Sequence, residues 1–131
     1  MIVDSSALCA ILLREPGWEP LLECLVMANG PVGAGAPTLT ETGIVLAARV
    51  GPQGKTLLAR FTQESGIREV PFTAEHWPVA TDAYLRFGKG RHPAALNFGD
   101  CLTYAVAYLA GEPLLCVGDD FPRTDLTIAT V

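Results

Sequence analysis

The chain has 131 residues, enough to bury the core of one domain without disulfides or a structural metal, and a second domain is not expected. Half of the residues are hydrophobic, but charged residues, Pro or Gly interrupt every apolar run before the roughly 18 residues of a membrane span. No export signal precedes the first apolar run, which predicts a cytoplasmic protein. The net charge of −5, taken alone, argues against a nucleic-acid partner.

Four cysteines, Cys9, Cys24, Cys101 and Cys116, are far apart in the sequence, and none belongs to a C-x-x-C pair. Three of them lie within apolar helical or strand patterns. This spacing predicts reduced, mostly buried thiols rather than a disulfide framework or a zinc site.

The predicted elements alternate along the chain. The first half contains a strand at 2–3, a helix at 7–13, a helix at 18–27, a strand at 32–36 and a helix at 38–50. The second half contains a helix at 55–64, a strand at 67–72, helices at 74–87 and 98–110 and a last strand at 114–117. Strands that alternate with helices predict a single domain, 1–131, with a mainly parallel sheet covered on both faces, a three-layer α/β/α sandwich.

Acidic residues recur where these elements meet. Asp4 closes the first strand, Glu41 and Asp100 each lie in the first turn of a predicted helix, and Asp119 and Asp120 follow the last strand. Ligands of open α/β sheets bind at the carboxyl ends of the strands, so all these carboxylates are expected at one edge. The sequence therefore predicts a divalent-metal site lined by carboxylates.

The chemistry of such a site follows from its ligands. Mg²⁺ and Mn²⁺ prefer oxygen, and Mg²⁺ is typically held by one or two carboxylates together with water and substrate phosphate oxygens. A metal bound there can activate water and stabilise charge on phosphoryl oxygens, which favours phosphodiester hydrolysis.

Each acidic residue also has a purely structural interpretation. Residues 38–41 match a capping box in which Glu41 satisfies a backbone N–H, and Asn97 can cap the last helix together with Asp100. Asp4 can cap the first helix, and the Asp119–Asp120 pair fits a turn after Gly118. Capping and metal binding are compatible, because a helix start fixes a carboxylate in space.

Two further groups are candidates for supporting roles. Ser5 and Ser6 can orient Asp4 or bind a metal-bound water, or they can simply start the helix. No acidic residue occurs from position 83 to 99, whereas Arg86, Lys89, Arg91 and His92 fall within seven positions. This basic loop is either solvated or a binding site for substrate, with Lys89, Arg91 and His92 as the candidate residues.

The pattern as a whole resembles the PIN-domain ribonucleases, and among them the VapC toxins of bacterial toxin–antitoxin pairs. The matching motifs span nearly the whole chain: M-I-V-D-S-S-A-L at 1–8, Glu41, Y-x-x-F-G-K-G-R-H-x-A-x-L-N-x-G-D-C at 84–101 and G-D-D-F-x-x-T-D at 118–125. The 88–101 stretch is specific to one branch of these toxins.

The resemblance implies an α/β/α sandwich, RNA cleavage dependent on Mg²⁺ or Mn²⁺, a homodimer, and inhibition by a small VapB-type antitoxin. Asp4 and Asp100 match the principal metal ligands of the family, and Glu41 matches its third acidic position. Either Asp119 or Asp120 matches the fourth. The high apolar fraction also predicts a homodimer, with the exposed sides of helices 18–27 and 38–50 as candidate interfaces.

Other functions remain open at this point. A phosphatase of the haloacid dehalogenase type needs a second acid where this chain has Ser6, and a phosphotransfer receiver needs a lysine after a late strand, whereas the chain has only Lys55 and Lys89. A non-catalytic module that binds an antitoxin is a third alternative. RNA cleavage that requires Mg²⁺ distinguishes the enzyme from this module.

Overall fold

Four short parallel strands form one sheet in the computed structural model, which describes residues 1–131. They are β1 (Ile2–Val3), β2 (Val32–Gly35), β3 (Ile67–Val70) and β4 (Leu114–Leu115). Their order is β3–β2–β1–β4, and Ile2 of the central β1 pairs with Gly33 on one side and Leu114 on the other. The first and last apolar runs of the chain therefore lie side by side.

Six helices cover this sheet: α1 (Ser5–Leu12), α2 (Trp18–Val26), α3 (Ala36–Val50), α4 (Gln53–Glu64), α5 (His76–Phe87) and α6 (Phe98–Ala110). Ile2 belongs to a core cluster with α5 and α6, whereas the next residue, Val3, belongs to a second cluster with α1 and α2. Successive side chains of a strand point to opposite faces, so the sheet separates two cores. The predicted three-layer α/β/α sandwich is confirmed.

Helix α3 begins earlier than the sequence pattern predicts. Gly35 precedes its first residue, Ala36, and Pro37 lies in the first turn, where the missing N–H of proline costs no helical hydrogen bond. Glu41 consequently lies in the second turn, so its predicted place in a first-turn capping box is wrong. Thr38 is instead buried, and its hydroxyl lies 3.0 Å from that of Thr103 on α6.

Most other boundaries differ from the predicted ones by one or two residues. Helix α1 starts at Ser5 because the Asp4 side chain caps it there, and strand β3 ends at Val70, immediately before a proline. All four cysteines are free thiols, as predicted. The prediction that most of them are buried is wrong, because only Cys101 is buried and the other three are partly exposed. No helix is both long and apolar enough to cross a membrane.

Candidate metal centre

Asp4 lies at the carboxyl end of β1 and is 4% exposed. Its backbone N–H continues the pairing with β4 by donating to the carbonyl of Leu115 over 2.9 Å. Its Oδ2 accepts hydrogen bonds from the backbone N–H of Ser6 (3.0 Å) and from the Ser6 hydroxyl (2.6 Å). The Ser6 Oγ also accepts from the backbone N–H of Val117 (3.0 Å), so one hydroxyl joins Asp4 to the chain after β4.

Asp100 is held by the start of α6. Asn97 caps the helix by accepting from the Asp100 N–H (2.8 Å), and Asp100 Oδ2 accepts from the Asn97 N–H (3.0 Å). This is the reciprocal capping box that the sequence predicts. The half-buried carboxylate is thereby fixed in orientation at the helix N-terminus.

Glu41 reaches the same place from α3. Its side chain is largely exposed, but its carboxylate lies against the first turn of α6: a Cβ built on Gly99 would be 2.5 Å from Oε2. Burial of this end raises the pKa of Glu41, the charge of Asp4 raises it further, and the Ser5 side chain partly offsets both effects.

Burial also raises the pKa of Asp100, from its ordinary value of 3.8 to about 6. The backbone hydrogen bond from Asn97 opposes this shift, whereas the charges of Asp4, Asp120 and Glu41 add to it. Asp120, rather than Asp119, is the aspartate after β4 whose charge acts on Asp100. The charges of Asp4, Glu41 and Asp120 thus all act on Asp100; Asp119 and Asp120 are both exposed, but only Asp120 belongs to this acidic group.

No cationic side chain neutralises these four carboxylates. The two ion pairs of the chain join the N-terminal amine to Glu112 and Arg86 to Asp125, and neither involves the group. Like charges placed together in a partly desolvated site are unfavourable unless a cation or protons compensate them. The arrangement therefore favours cation binding.

The donor atoms fit a hard cation. In both Asp4 and Asp100 the hydrogen bonds from the protein go to Oδ2, which leaves Oδ1 free of them. No three His, Cys, Asp or Glu side chains are close enough to hold a metal by themselves, unlike a structural zinc site. Mg²⁺ suits such a set, because water and substrate oxygens complete its coordination.

Nearby thiols do not offer soft ligands. Burial raises the pKa of Cys116 to about 12, and the charges of Asp4, Asp100 and Asp120 contribute to the shift. Burial likewise raises the pKa of Cys9 to about 11, with smaller contributions from Glu15 and Glu41. A metal binds the thiolate, so the raised pKa values make the loss of the thiol proton to a metal less favourable at both positions.

The loop between α5 and α6 presents the predicted basic residues. Lys89 is exposed and lines a groove together with Asn97 and Phe98, at the start of α6. Arg91 is also exposed, and its guanidinium lies 5.3 Å from the centre of the Tyr84 ring. His92 supports the loop itself: its Nδ1 accepts from the Ala94 N–H over 3.0 Å. A contact of His92 with substrate stays a prediction.

We expect Ser6→Ala to lower the affinity of the centre for Mn²⁺ roughly tenfold, because outer-shell partners of metal ligands have effects of this size. The variant loses the hydroxyl that joins Asp4 to Val117. Isothermal titration of metal-free protein measures the change. Ser65→Ala, beyond the far end of α4, is the control; equal affinities of both variants would show that the hydroxyl has no part in the site.

Comparison with known proteins identifies the family. The model of the PIN domain matches residues 1–126. Ribonuclease VapC36 of Mycobacterium tuberculosis is 51% identical over 127 residues, which cover 96% of this chain and 91% of that protein. The chain belongs to the VapC ribonuclease family of PIN-domain proteins. Ribonuclease VapC of Mycolicibacterium smegmatis is a further relative of this VapC chain, 42% identical over 96% of it and 97% of the relative.

Solved structures agree with this VapC-type fold. Mycobacterium tuberculosis VapC20, described as a toxin that cleaves the sarcin–ricin loop, superposes with a TM-score of 0.79 at 19% identity, covering 96% of this chain and 95% of that one. VapBC2 from Rickettsia felis, bound to a DNA fragment from its promoter, gives a TM-score of 0.76 at 15% identity, covering 97% and 94%. Membership of the VapC family removes the phosphatase and receiver alternatives.

Sequence reasoning missed the roles of two residues beside the acidic centre. Gly99 borders the Glu41 carboxylate, and Phe98 is 81% exposed although it fits the apolar pattern of α6. The one sequence signal for Gly99 is a glycine in the first turn of a helix, where alanine is more favourable. Nothing in the local sequence distinguishes Phe98 from a core residue.

Proposed function

We propose that the protein is a Mg²⁺-dependent endoribonuclease, the toxin of a VapBC-type toxin–antitoxin pair. One observation carries the proposal: four carboxylates from separate parts of the chain, Asp4, Glu41, Asp100 and Asp120, lie near enough for the charges of the other three to raise the pKa of Asp100, and none of them has a paired cation. The ribonuclease names of relatives at 40–51% identity support the same activity.

The free Oδ1 atoms of Asp4 and Asp100 are the proposed metal ligands, with Mn²⁺ as a substitute for Mg²⁺. When bound, the metal would activate a water molecule and stabilise charge on the scissile phosphate. Ser6 orients Asp4 and Asn97 orients Asp100 through the hydrogen bonds described above. Glu41 and Asp120 strengthen the negative field that attracts the cation, and Asp120 rather than Asp119 is the fourth acidic position.

Lys89 and Arg91 are proposed to bind the RNA backbone. The groove that Lys89 lines runs to Asn97 and Phe98, which directly precede the turn that holds Asp100. Binding through such backbone contacts weakens as the salt concentration rises and does not depend on the base sequence.

We therefore expect Lys89→Ala/Arg91→Ala to weaken RNA binding about equally across sequences and to reduce the salt slope of binding by up to about two units. Metal affinity should stay nearly unchanged. Filter binding at several salt concentrations measures the slope, with Lys55→Ala/Arg60→Ala on α4 as the matched control. An unaltered slope in the first variant would show that the loop is merely solvated.

The partner is inferred from the family. A small VapB-type antitoxin is the proposed inhibitor, supported by the VapBC2 complex among the structural neighbours. The cytoplasmic location stays a prediction.

A homodimer is proposed to form through what we call the Phe98 patch, the side chains of Ile44, Trp77, Tyr84 and Phe98 on α3, α5 and α6. Phe98 separates two grooves of about 600 and 510 Å³, one against α5 and one against α3. Ile44 is 65% and Trp77 61% exposed. A continuous apolar surface of this kind marks a protein interface, and the patch adjoins the acidic centre through Glu41.

We expect light scattering at micromolar concentration to give twice the 13.9 kDa chain mass. Ile44→Lys on α3 should shift the protein towards monomer, because it buries a charge in the interface. The matched control, Val26→Lys, changes a residue of similar exposure on α2, the other predicted interface helix. Dissociation by the control but not by the α3 variant would place the interface on α2.

The function itself is tested by incubating purified protein and Mg²⁺ with cellular RNA and, separately, with p-nitrophenyl phosphate. The proposal expects new internal RNA ends and no release of nitrophenol. If the RNA stays intact while the protein still binds its antitoxin, the chain is the non-catalytic module instead.

A further inference from the structure

Gly99 is the second residue of α6, and its backbone does not require glycine. Its φ is not positive, unlike that of six other glycines of the chain, so an L-residue fits the helical conformation there. Glycine is also a poor helix former, and alanine is the most favourable residue in a helix. The local fold therefore gives no reason for glycine at this position.

The space beside Gly99 is filled by Glu41. A Cβ at position 99 would lie 2.5 Å from Glu41 Oε2, 3.3 Å from its Cδ and 3.5 Å from its Oε1, and these three atoms are its nearest neighbours. Real Cβ atoms essentially never approach another atom as closely as the first of these distances. A methyl group at position 99 must therefore displace the Glu41 carboxylate rather than the backbone.

Glu41 can move because it is long and opens onto a groove. The groove of about 510 Å³ lined by Pro37, Ile44 and Phe98 also contains Glu41. The groove gives the side chain room to take another rotamer. Such a movement would take the carboxylate away from Asp100, whose pKa its charge raises, and from Asp4, whose charge raises the pKa of Glu41.

We propose that Gly99 is a positioning residue: its missing side chain lets the Glu41 carboxylate lie against α6, at the place where it acts on the metal centre. The inference rests on the proposed function and extends it to a residue that carries no chemistry of its own. A side chain at this position would move the acid, which offsets the lower helix propensity of glycine.

The test uses Gly99→Ala, Glu41→Asp and the double variant. Gly43→Ala is the control, because a Cβ there meets only Leu58 Cδ2 at 3.7 Å, an ordinary contact. Metal affinity is measured by Mn²⁺ titration of EDTA-stripped protein, stability by urea denaturation, and kcat and KM by RNA cleavage. The pH titration of the Glu41 carboxyl carbon by NMR reports its surroundings independently of activity.

We expect Gly99→Ala to lower Mn²⁺ affinity and kcat roughly tenfold with KM unchanged, while the urea midpoint stays equal or rises. The NMR midpoint of Glu41 should fall towards that of a free glutamate. In Glu41→Asp the side chain at position 41 is one methylene shorter, so adding Gly99→Ala should lower Mn²⁺ affinity much less than it does in the wild type. The effects of substitutions at neighbouring residues are not additive. Gly43→Ala should bind Mn²⁺ like the wild type.

Two results overturn the proposal. One is a Glu41 titration that is unchanged in Gly99→Ala. The other is a loss of Mn²⁺ affinity from Gly99→Ala that is as large in the Glu41→Asp variant as in the wild type. A wild type that cleaves no RNA refutes the proposed function instead, and the NMR titration still decides whether Gly99 positions Glu41.

Discussion

Asp4→Asn should lower the rate of RNA cleavage at least about 100-fold, equivalent to roughly 3 kcal/mol of transition-state stabilisation. The amide keeps the shape of the carboxylate, and its oxygen can still accept from the Ser6 N–H, so the cap of α1 survives. An NH₂ group then occupies the position of the free Oδ1, and it cannot bind a cation. We therefore expect loss of activity without loss of fold.

Single-turnover cleavage of a defined RNA measures this loss, and circular dichroism checks the fold. Asp119→Asn is the matched control, because it removes one negative charge from the same end of the sheet at a residue outside the acidic group. Wild-type turnover by Asp4→Asn, or an equal loss in the control, contradicts the assigned metal ligand.

Asp100→Asn should make the metal-free protein more stable at pH 8, by roughly 1 kcal/mol once solvent screening of this half-exposed carboxylate is included, although it too loses activity. The pKa of Asp100 is raised in the folded state from 3.8 to about 6. The folded protein therefore binds this proton more tightly than the unfolded chain does. Stability from this group is fully present below pH 4 and is lost as the pH rises through about 6. The asparagine has no charge to desolvate, so it avoids that loss.

Urea denaturation in EDTA at pH 4 and pH 8 measures the difference between Asp100→Asn and the wild type. The difference should be largest at pH 8 and close to zero at pH 4. Saturating Mg²⁺ should reverse it at pH 8, because only the wild type gains stability from metal binding. A variant that is less stable than the wild type at pH 8 contradicts the electrostatic account of the centre.

The sequence located the parts of the centre that depend on local structure. Asp4 directly follows the first strand and Asp100 belongs to a capping box, and both positions can be read from a few neighbouring residues. The parallel alternation of elements then places them at one sheet edge. The structure has them there, each with one oxygen used for capping and one left free.

Contacts between segments that are distant in the sequence cannot be predicted from neighbouring residues. The Ser6 hydroxyl binds the backbone of Val117, 111 positions away, and Glu41 lies against Gly99. The sequence pattern also places Glu41 in the wrong turn, because Thr38 resembles an N-cap while Pro37 allows the helix to start before it. The choice between Asp119 and Asp120 depends on the turn after β4, which the sequence leaves undefined.

The most direct test of the whole account follows RNA cleavage and metal binding together in EDTA-stripped wild-type protein. Stripped protein should leave the RNA intact, and added Mg²⁺ or Mn²⁺ should restore cleavage over the same concentration range in which the metal binds. Asp4→Asn and Asp100→Asn should show neither effect. Cleavage that persists in EDTA, or metal binding of undiminished affinity in both variants, would contradict the claim that these carboxylates form the metal centre of the enzyme.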